Sequence, residues 1–276
     1  GSTGLGGRWL MPAFTRLLWV AAERDFVPAD EPDGITVMDS WLVENGRMRA
    51  LSAHIRRFRT ACTRMAVPGE QSTEFVHASV RRIPASGRWF PRVELVLTQG
   101  TPQFQLWIRP APPRGDTVRL WISTEPDQRV HPSVKGADLD YLVALRRSAA
   151  AAGADEALIL SPDGRVREGA STSVLWWRDD VLCAPPETSA VLPGVTRAVL
   201  LGLAAERGIR VEIEEPKPHD LAGLEVWAVN ALHGIRSVRG WAGTPIDAGP
   251  AYRARRWNSR LDRLAVPVIS DRIETA

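Results

Sequence analysis

The stretch HPSVKGADLDYL, residues 131–142, contains one of only two lysines in a chain of 276 residues. Thirty-five basic residues less Lys135 and Lys217 leave thirty-three arginines. A chain that meets nearly every need for positive charge with arginine has a use for lysine that arginine cannot serve. Arginine stays protonated, whereas a lysine can lose its proton and attack a carbonyl as a free amine. On the count alone, chance retention of a lysine explains Lys135 equally well, so its surroundings must decide. Directly after it, ADLDYLVALRRSAAAAG (137–153) is Ala-rich and predicts a helix that stops at Gly153.

The chain as a whole sets bounds. A hydrophobic content of 44% with 24% charged residues is that of a globular protein. The net charge is only +3 and the arginines alternate with acids, which argues against nucleic-acid binding. Cys62 and Cys183 lie far apart with no CxxC spacing, so neither zinc nor a disulfide is expected; both read as buried thiols of a reducing compartment. RLLWVAA (16–22) is too short to span a bilayer, and GSTGLGG (1–7) reads as a flexible leader without a cleavable signal pattern. A cytoplasmic location is expected.

The clearest break is RPAPPRGDT (109–117), whose three prolines and a glycine suit neither a helix nor a central strand. It predicts a linker at 109–115 between a smaller N-terminal unit, 1–108, and a larger one, 116–276. Before it, VELVLTQG and PQFQLWIRP read as two strands across a turn; after it, VRLWIST alternates as a strand. ALSAHIRRFRTACTRMAV (50–67) spaces Leu51, Ile55, Phe58, Cys62 and Met65 by three and four, an amphipathic helix. GVTRAVLLGLAAERG (194–208) predicts another. EALILS, SVLWWR, VLCAP, VEIEE and VWAVN are short strands, and the hairpins LSPDGRV and WWRDDVL suggest mostly antiparallel pairing in a mixed α and β layout.

Three further features carry chemistry. Glu168 ends a hairpin strand and precedes Gly169 and small residues that let a ligand approach the backbone. Most such acids are simply solvated; a functional role requires a buried cationic partner, such as a protonated pyridine nitrogen. LPGVTR (192–197) opens a helix with free N–H groups and the positive end of its dipole, an anion site unless Thr196 merely caps the helix. An anion held there calls for an arginine from elsewhere, and Arg57 is a candidate. Ile55 and Phe58 face inward, and Arg56 and Arg57 differ by about 100° around the helix, so one is solvated while the other leans inward.

LSAHIRRF, VKGADLDYL, GADEALILSPDGRVREG, VLPGVTR and VWAVNALHGIRSV resemble, in order and spacing, the class IV aminotransferases, the pyridoxal 5'-phosphate enzymes of fold type IV. The resemblance covers residues from 38 to about 240. It implies an α+β fold of the D-amino-acid aminotransferase-like type, two α/β domains with the cofactor in the cleft between them, and a homodimer, for which RWF (88–90) offers apolar anchors. It implies that Lys135 is the lysine that forms the Schiff base and Glu168 the carboxylate on the pyridine nitrogen. Arg57 resembles the arginine gripping the phosphate, expected to form a bidentate pair; Val195 and Thr196 the helix start beneath it; and Leu192 the side chain against the ring. Ala231 stands at a further cofactor-contacting position.

The chain also departs from the family pattern. Asp138 and Leu139 replace a common Asn-Tyr pair, with Tyr141 two residues late, and Ser173 replaces an asparagine. Gln99 stands where an arginine commonly anchors a substrate carboxylate. NAL (230–232) replaces the Gly-Thr of branched-chain transaminases and resembles 4-amino-4-deoxychorismate lyase. The resemblance therefore implies a lyase that eliminates pyruvate from an aminated chorismate-derived substrate to leave an aromatic amine such as 4-aminobenzoate. The alternative is a transaminase acting on an amino acid or amine. Ser40, Gln99 and His233 are expected to shape the substrate side in either case. A non-catalytic scaffold is disfavoured by an intact Lys135.

Overall fold

The computed structural model describes residues 15–268; the expected leader lies outside them. The chain begins with β1 (Thr15–Val20), β2 (Asp25–Pro28), β3 (Val37–Ser40), β4 (Val43–Glu44) and β5 (Arg47–Met48). Helices α1 (Leu51–Arg64) and α2 (Gly69–Arg82) follow, then β6 (Arg88–Trp89), β7 (Arg92–Thr98) and β8 (Thr101–Ile108). Five of these strands form an antiparallel sheet in the order β2-β1-β8-β7-β3. The predicted face of α1 turns His54, Ile55, Phe58, Ala61 and Cys62 inward. There Phe58 and Phe75 meet Phe104 of β8, with Phe75 and Phe104 stacked 4.8 Å apart. Helix α2 was not expected: its polar GEQST opening masks the apolar Phe75, Val76 and Val80 that it buries.

After the proline-rich segment come β9 (Thr117–Ile122), α3 (Leu139–Ala151), β10 (Glu156–Leu160), β11 (Val166–Gly169), β12 (Ser173–Arg178) and β13 (Val181–Ala184). The remaining elements are α4 (Val195–Glu206), β14 (Val211–Ile213), β15 (Val226–Asn230), β16 (Gly234–Ala242), α5 (Ala254–Arg263) and β17 (Val266–Pro267). Eight of these strands form one sheet in the order β11-β10-β9-β16-β15-β12-β13-β14. In β12, Leu175 and Trp177 join a cluster with Trp227 and Trp257, while Val174 and Trp176 point to the opposite face and pack with Leu120 and Leu158. A strand buried on both faces reads as a continuous apolar run, which explains VLWW.

The two hairpins are antiparallel as expected, yet β9 runs parallel to both β10 and β16, and β13 runs parallel to β14. A parallel return needs a long crossover, and α3 and α4 supply it for β9–β10 and β13–β14. Lys135 lies in the loop between β9 and α3, and LPGVTR lies where the chain enters α4. The chain then doubles back: Val266 and Pro267 of β17 pair with Met48 and Arg47 of β5 in a small sheet with β4 and β6. The segment 109–115, proposed as the domain linker, separates the two larger sheets, but β17 crosses that division. Among the described residues no helix is long and apolar enough to cross a membrane.

One contact fixes the Lys135 loop against β3. The Met38 N–H donates to the Lys135 carbonyl over 2.8 Å. Gly136 sits at φ +100°, where a Cβ would come within 2.9 Å of the Met38 backbone nitrogen. Both the dihedral and the close approach require glycine there. Gly136→Ala is expected to destabilise the fold by more than about 1 kcal/mol. Urea unfolding of the two proteins checks this, and an unchanged midpoint would show that the loop does not depend on the contact.

Candidate active site

A cavity of about 500 Å³ collects nine of the ten residues singled out above. Lys135, Arg57, Glu168, Leu192, Val195, Thr196, Ala231, Ser40 and His233 all line it. Gln99 does not join them: it is exposed at the tip of the β7–β8 hairpin with φ +49°, because the chain must turn there between paired strands. Tyr141 stands in the first turn of α3, with its hydroxyl 3.5 Å from the Pro126 carbonyl, and does not line the cavity.

Burial, reinforced by the positive charge of Arg57, lowers the Lys135 amine to about 8; Arg109 and Arg92 act in the same direction and Asp39 opposes them. Its ammonium has no hydrogen-bond or ion-pair partner among the described residues. A lysine whose amine is partly neutral near neutral pH is a competent nucleophile and proton acceptor. Lys217, by contrast, is exposed at the start of a short 3₁₀ turn. Asp138 accepts the backbone N–H groups of Val130 and His131 at 2.9 Å each, bracing the loop ahead of the lysine, and Leu139 faces the cavity.

The start of α4 is an open anion cradle. Gly194 is its N-cap, no side chain caps it, and Val195 and Thr196 are buried against the cavity. A Cβ at Gly194 would fall 2.4 Å from the Ser173 hydroxyl oxygen, so only glycine lets the two segments approach. Arg57 reaches this end from α1, donating from Nη1 to the Pro193 carbonyl at 3.1 Å. Arg56 on the same helix is exposed. The side-on fork of Arg57 is already taken: Nε and Nη2 each donate to Asp39 over 2.8 Å. The expected bidentate pair therefore forms with a carboxylate of the protein, and two of the guanidinium's five N–H groups remain for an anion.

Glu168 is buried, and its Oε1 accepts from Arg129 Nη1 at 2.5 Å and from the Leu192 N–H at 3.1 Å. Oε2 receives only a long contact from Leu192, at 3.3 Å, and is the freer oxygen. Burial pushes the carboxyl above its ordinary range while Arg129 pulls it back towards the ionised form. Arg129 is itself held by Asp127 through 2.9 and 3.0 Å bonds. This buried acid with one freer oxygen fits a pyridine nitrogen, as the uncapped helix start fits a phosphate and the unpaired amine fits an aldehyde. The residues present thus suit pyridoxal phosphate.

On the substrate side, Ser40 is buried at the end of β3, and the His233 Nδ1 accepts the Gly115 N–H at 2.9 Å, which ties the linker to the β15–β16 turn. Burial, with Arg236 nearby, lowers His233 to about 4, so it is neutral. The sequence reading missed four side chains here: Asp39, Arg129, Arg92 and Arg109. Arg92 and Arg109 line the cavity and lie over Trp107, with Cζ 4.7 Å from its ring centroid in each case. Arg92 Nε is bound to buried Glu94 at 2.6 Å and Arg109 Nε to the Phe90 carbonyl at 2.7 Å. Arginines recurring among the apolar residues of strands were the available signal. Cys62 and Cys183 are buried, with thiols pushed up to about 12 and about 11, and neither lines the cavity.

Comparison with known proteins agrees with this geometry. The family model described as amino-transferase class IV matches residues 36–241. The branched-chain-amino-acid aminotransferase of Pseudomonas aeruginosa is 41% identical over 115 residues, 41% of this chain and 37% of that protein. The D-alanine aminotransferase of Bacillus licheniformis is 35% identical over 117 residues, 42% and 41% of the two chains. The aligned stretch thus spans well under half the length of these curated relatives. Among solved structures, a hypothetical aminotransferase from Mycobacterium tuberculosis in its PLP-bound form superposes with a TM-score of 0.72 at 20% identity, covering 91% of this chain and 99% of that one.

The lowered amine makes a direct prediction. In cofactor-free protein, modification of Lys135 by trinitrobenzenesulfonate should follow a midpoint near pH 8, slow below it where the amine is protonated and fast above it. Peptide mapping of the product identifies the residue, and a midpoint at the ordinary lysine value would show that the cavity does not perturb it.

Proposed function

The chain belongs to the class IV aminotransferase family, and from that premise we propose that it is a pyridoxal 5'-phosphate-dependent transaminase acting on an amino acid or amine. The observation that carries the proposal is one cavity in which an unpaired lysine of lowered pKa lies between an uncapped helix start and a buried carboxylate. The relatives named above are aminotransferases, which supports this reading over the lyase suggested by Asn230-Ala231-Leu232.

Bound pyridoxal phosphate supplies an aldehyde that exchanges with amines and a ring that withdraws electrons. The protein's part is positioning and proton handling. The α4 N–H groups, Thr196 and Arg57 hold the phosphate by dipole and charge. Glu168, oriented by Arg129 and the Leu192 N–H, would stabilise a positive charge on the ring nitrogen. Lys135 would hold the cofactor aldehyde through its amine, and that amine, with its pKa lowered to about 8, is suited to accept and return a proton at the substrate's α carbon. Arg92 and Arg109 line the cavity and can receive a substrate carboxylate, the task of the family arginine that Gln99 replaces. We further propose a homodimer, in which Trp89 and Phe90, half-buried in the single chain, are the expected apolar anchors.

Incubating the purified protein with amino acids and with aminodeoxychorismate separates the readings. A transaminase should change the cofactor spectrum with an amino acid and release the matching keto acid. Pyruvate formed from aminodeoxychorismate, with no response to amino acids, would establish the lyase instead. Glu168→Gln keeps size and hydrogen bonding but removes the charge, and turnover should fall by roughly two orders of magnitude with cofactor retained. Near-native turnover would reduce Glu168 to a strand-end acid.

A further inference from the structure

Asp39 is the penultimate residue of β3 in the N-terminal part of the chain and does not line the cavity, yet it is among the most completely buried acids of the described residues. Its carboxylate accepts four hydrogen bonds. Oδ2 takes Arg57 Nε at 2.8 Å; Oδ1 takes Arg57 Nη2 at 2.8 Å, His54 Nδ1 at 2.8 Å and the Ser40 N–H at 2.9 Å. His54 and Arg57 are three residues apart on α1 and so share a face, and both turn that face to the end of β3. Arg57 is an unbranched chain with four rotatable bonds, and a long cation at a cavity wall pays rotational entropy to stay in one place. Nothing on its own helix holds it. The two hydrogen bonds to Asp39 run from two nitrogens to two separate oxygens and so restrain both its position and its tilt.

We propose that Asp39 is a positioning residue that presents Arg57 to the cofactor phosphate, with His54 and the Ser40 N–H holding the carboxylate in turn. This rests on the reading of Arg57 as the phosphate ligand. Two opposed effects follow from the same pair. Asp39 restrains the guanidinium, which favours phosphate binding, and it cancels Arg57's charge, which disfavours it. Each oxygen accepts from a different nitrogen of Arg57, and the buried carboxylate has further donors in His54 and the Ser40 N–H, a geometry that serves restraint. Were Asp39 only a counter-charge, removing its charge would tighten phosphate binding; as a positioning residue, its removal weakens it.

The test is a double-mutant cycle read as binding to cofactor-free protein, with pyridoxal 5'-phosphate and phosphate-free pyridoxal as the two probes and dissociation constants taken from absorbance titration. D39N replaces one acceptor oxygen with an amide that cannot accept the Arg57 fork. It should weaken pyridoxal phosphate binding on the order of tenfold, the scale of charge-assisted bonds, and leave pyridoxal binding within about twofold. In an R57A background D39N should add nothing, because its effect passes through the guanidinium. If R57A leaves pyridoxal phosphate affinity at the wild-type value, the phosphate reading of Arg57 fails and the proposal falls with it. If R57A weakens binding while D39N leaves it unchanged or tighter, the Arg57 reading stands and the role of Asp39 is overturned. Equal loss for both probes, or additive loss in the double variant, would mark Asp39 as a structural residue only and also overturn it. Should D39N not fold, Asp39→Glu keeps the charge and displaces the carboxylate by one methylene. Selective loss of the phosphorylated probe in that variant supports the proposal, and wild-type affinity contradicts it.

Discussion

The site depends on the seam between β3 and the Lys135 loop, where the Met38 N–H donates to the Lys135 carbonyl and Val134 packs into the core beside α1. Met38 belongs to β3 of the five-stranded sheet and Lys135 to the loop entering α3, the crossover of the eight-stranded sheet. The bond brings the working lysine from one part of the chain to a strand end of the other. The three residues Met38, Asp39 and Ser40 then have separate tasks: the first holds the lysine loop, the second holds Arg57, and the third faces the cavity. Gly136 is the condition for this contact, since any side chain there meets the Met38 backbone.

Around that seam the protein gathers positive charge. Among the described residues lining the cavity, Glu168 is the single carboxylate, whereas Arg57, Arg92, Arg109, Arg129, Arg146, Arg197 and Arg236 stand with Lys135. Such a wall favours anions, and it adds to the burial that chiefly lowers the lysine. Charge of one sign cannot be buried without compensation, and the compensation lies just behind the wall. Asp39 backs Arg57, Asp127 backs Arg129, and Glu94 backs Arg92 and Arg16. Removing one partner of such a pair leaves an uncompensated charge and costs more than the pair itself contributes. The indole of Trp107 adds a face on which Arg16, Arg92 and Arg109 rest.

Several elements were legible in the chain because their causes are local. The three-and-four spacing of Ile55, Phe58 and Cys62 predicts α1 and points Arg56 and Arg57 in different directions, while the family resemblance singled out Arg57. Gly194 followed by a helix pattern predicts an uncapped start, and the SPDG and RDD turns predict two hairpins. Lys135 stood out by its rarity among the basic residues. Glu168 was legible as a strand-end acid beside small residues, but its partner was not.

What the sequence by itself determined is therefore the periodic elements, their caps and the residue types able to do the chemistry, since those follow from interactions within a turn or a hairpin. Tertiary structure alone decided which of those residues meet. Arg57 contacts Pro193 across 136 positions and Asp39 across 18, and Arg129 finds Glu168 across 39. The parallel pairing of β9 with β10 and β16, the return of β17 to β5, and the placement of Gln99 at a hairpin tip outside the cavity likewise depend on how the sheets close. A carboxylate such as Asp39 has the same local signature whether it faces water or an arginine, and only packing of α1 against β3 removes the water and leaves the arginine as its partner.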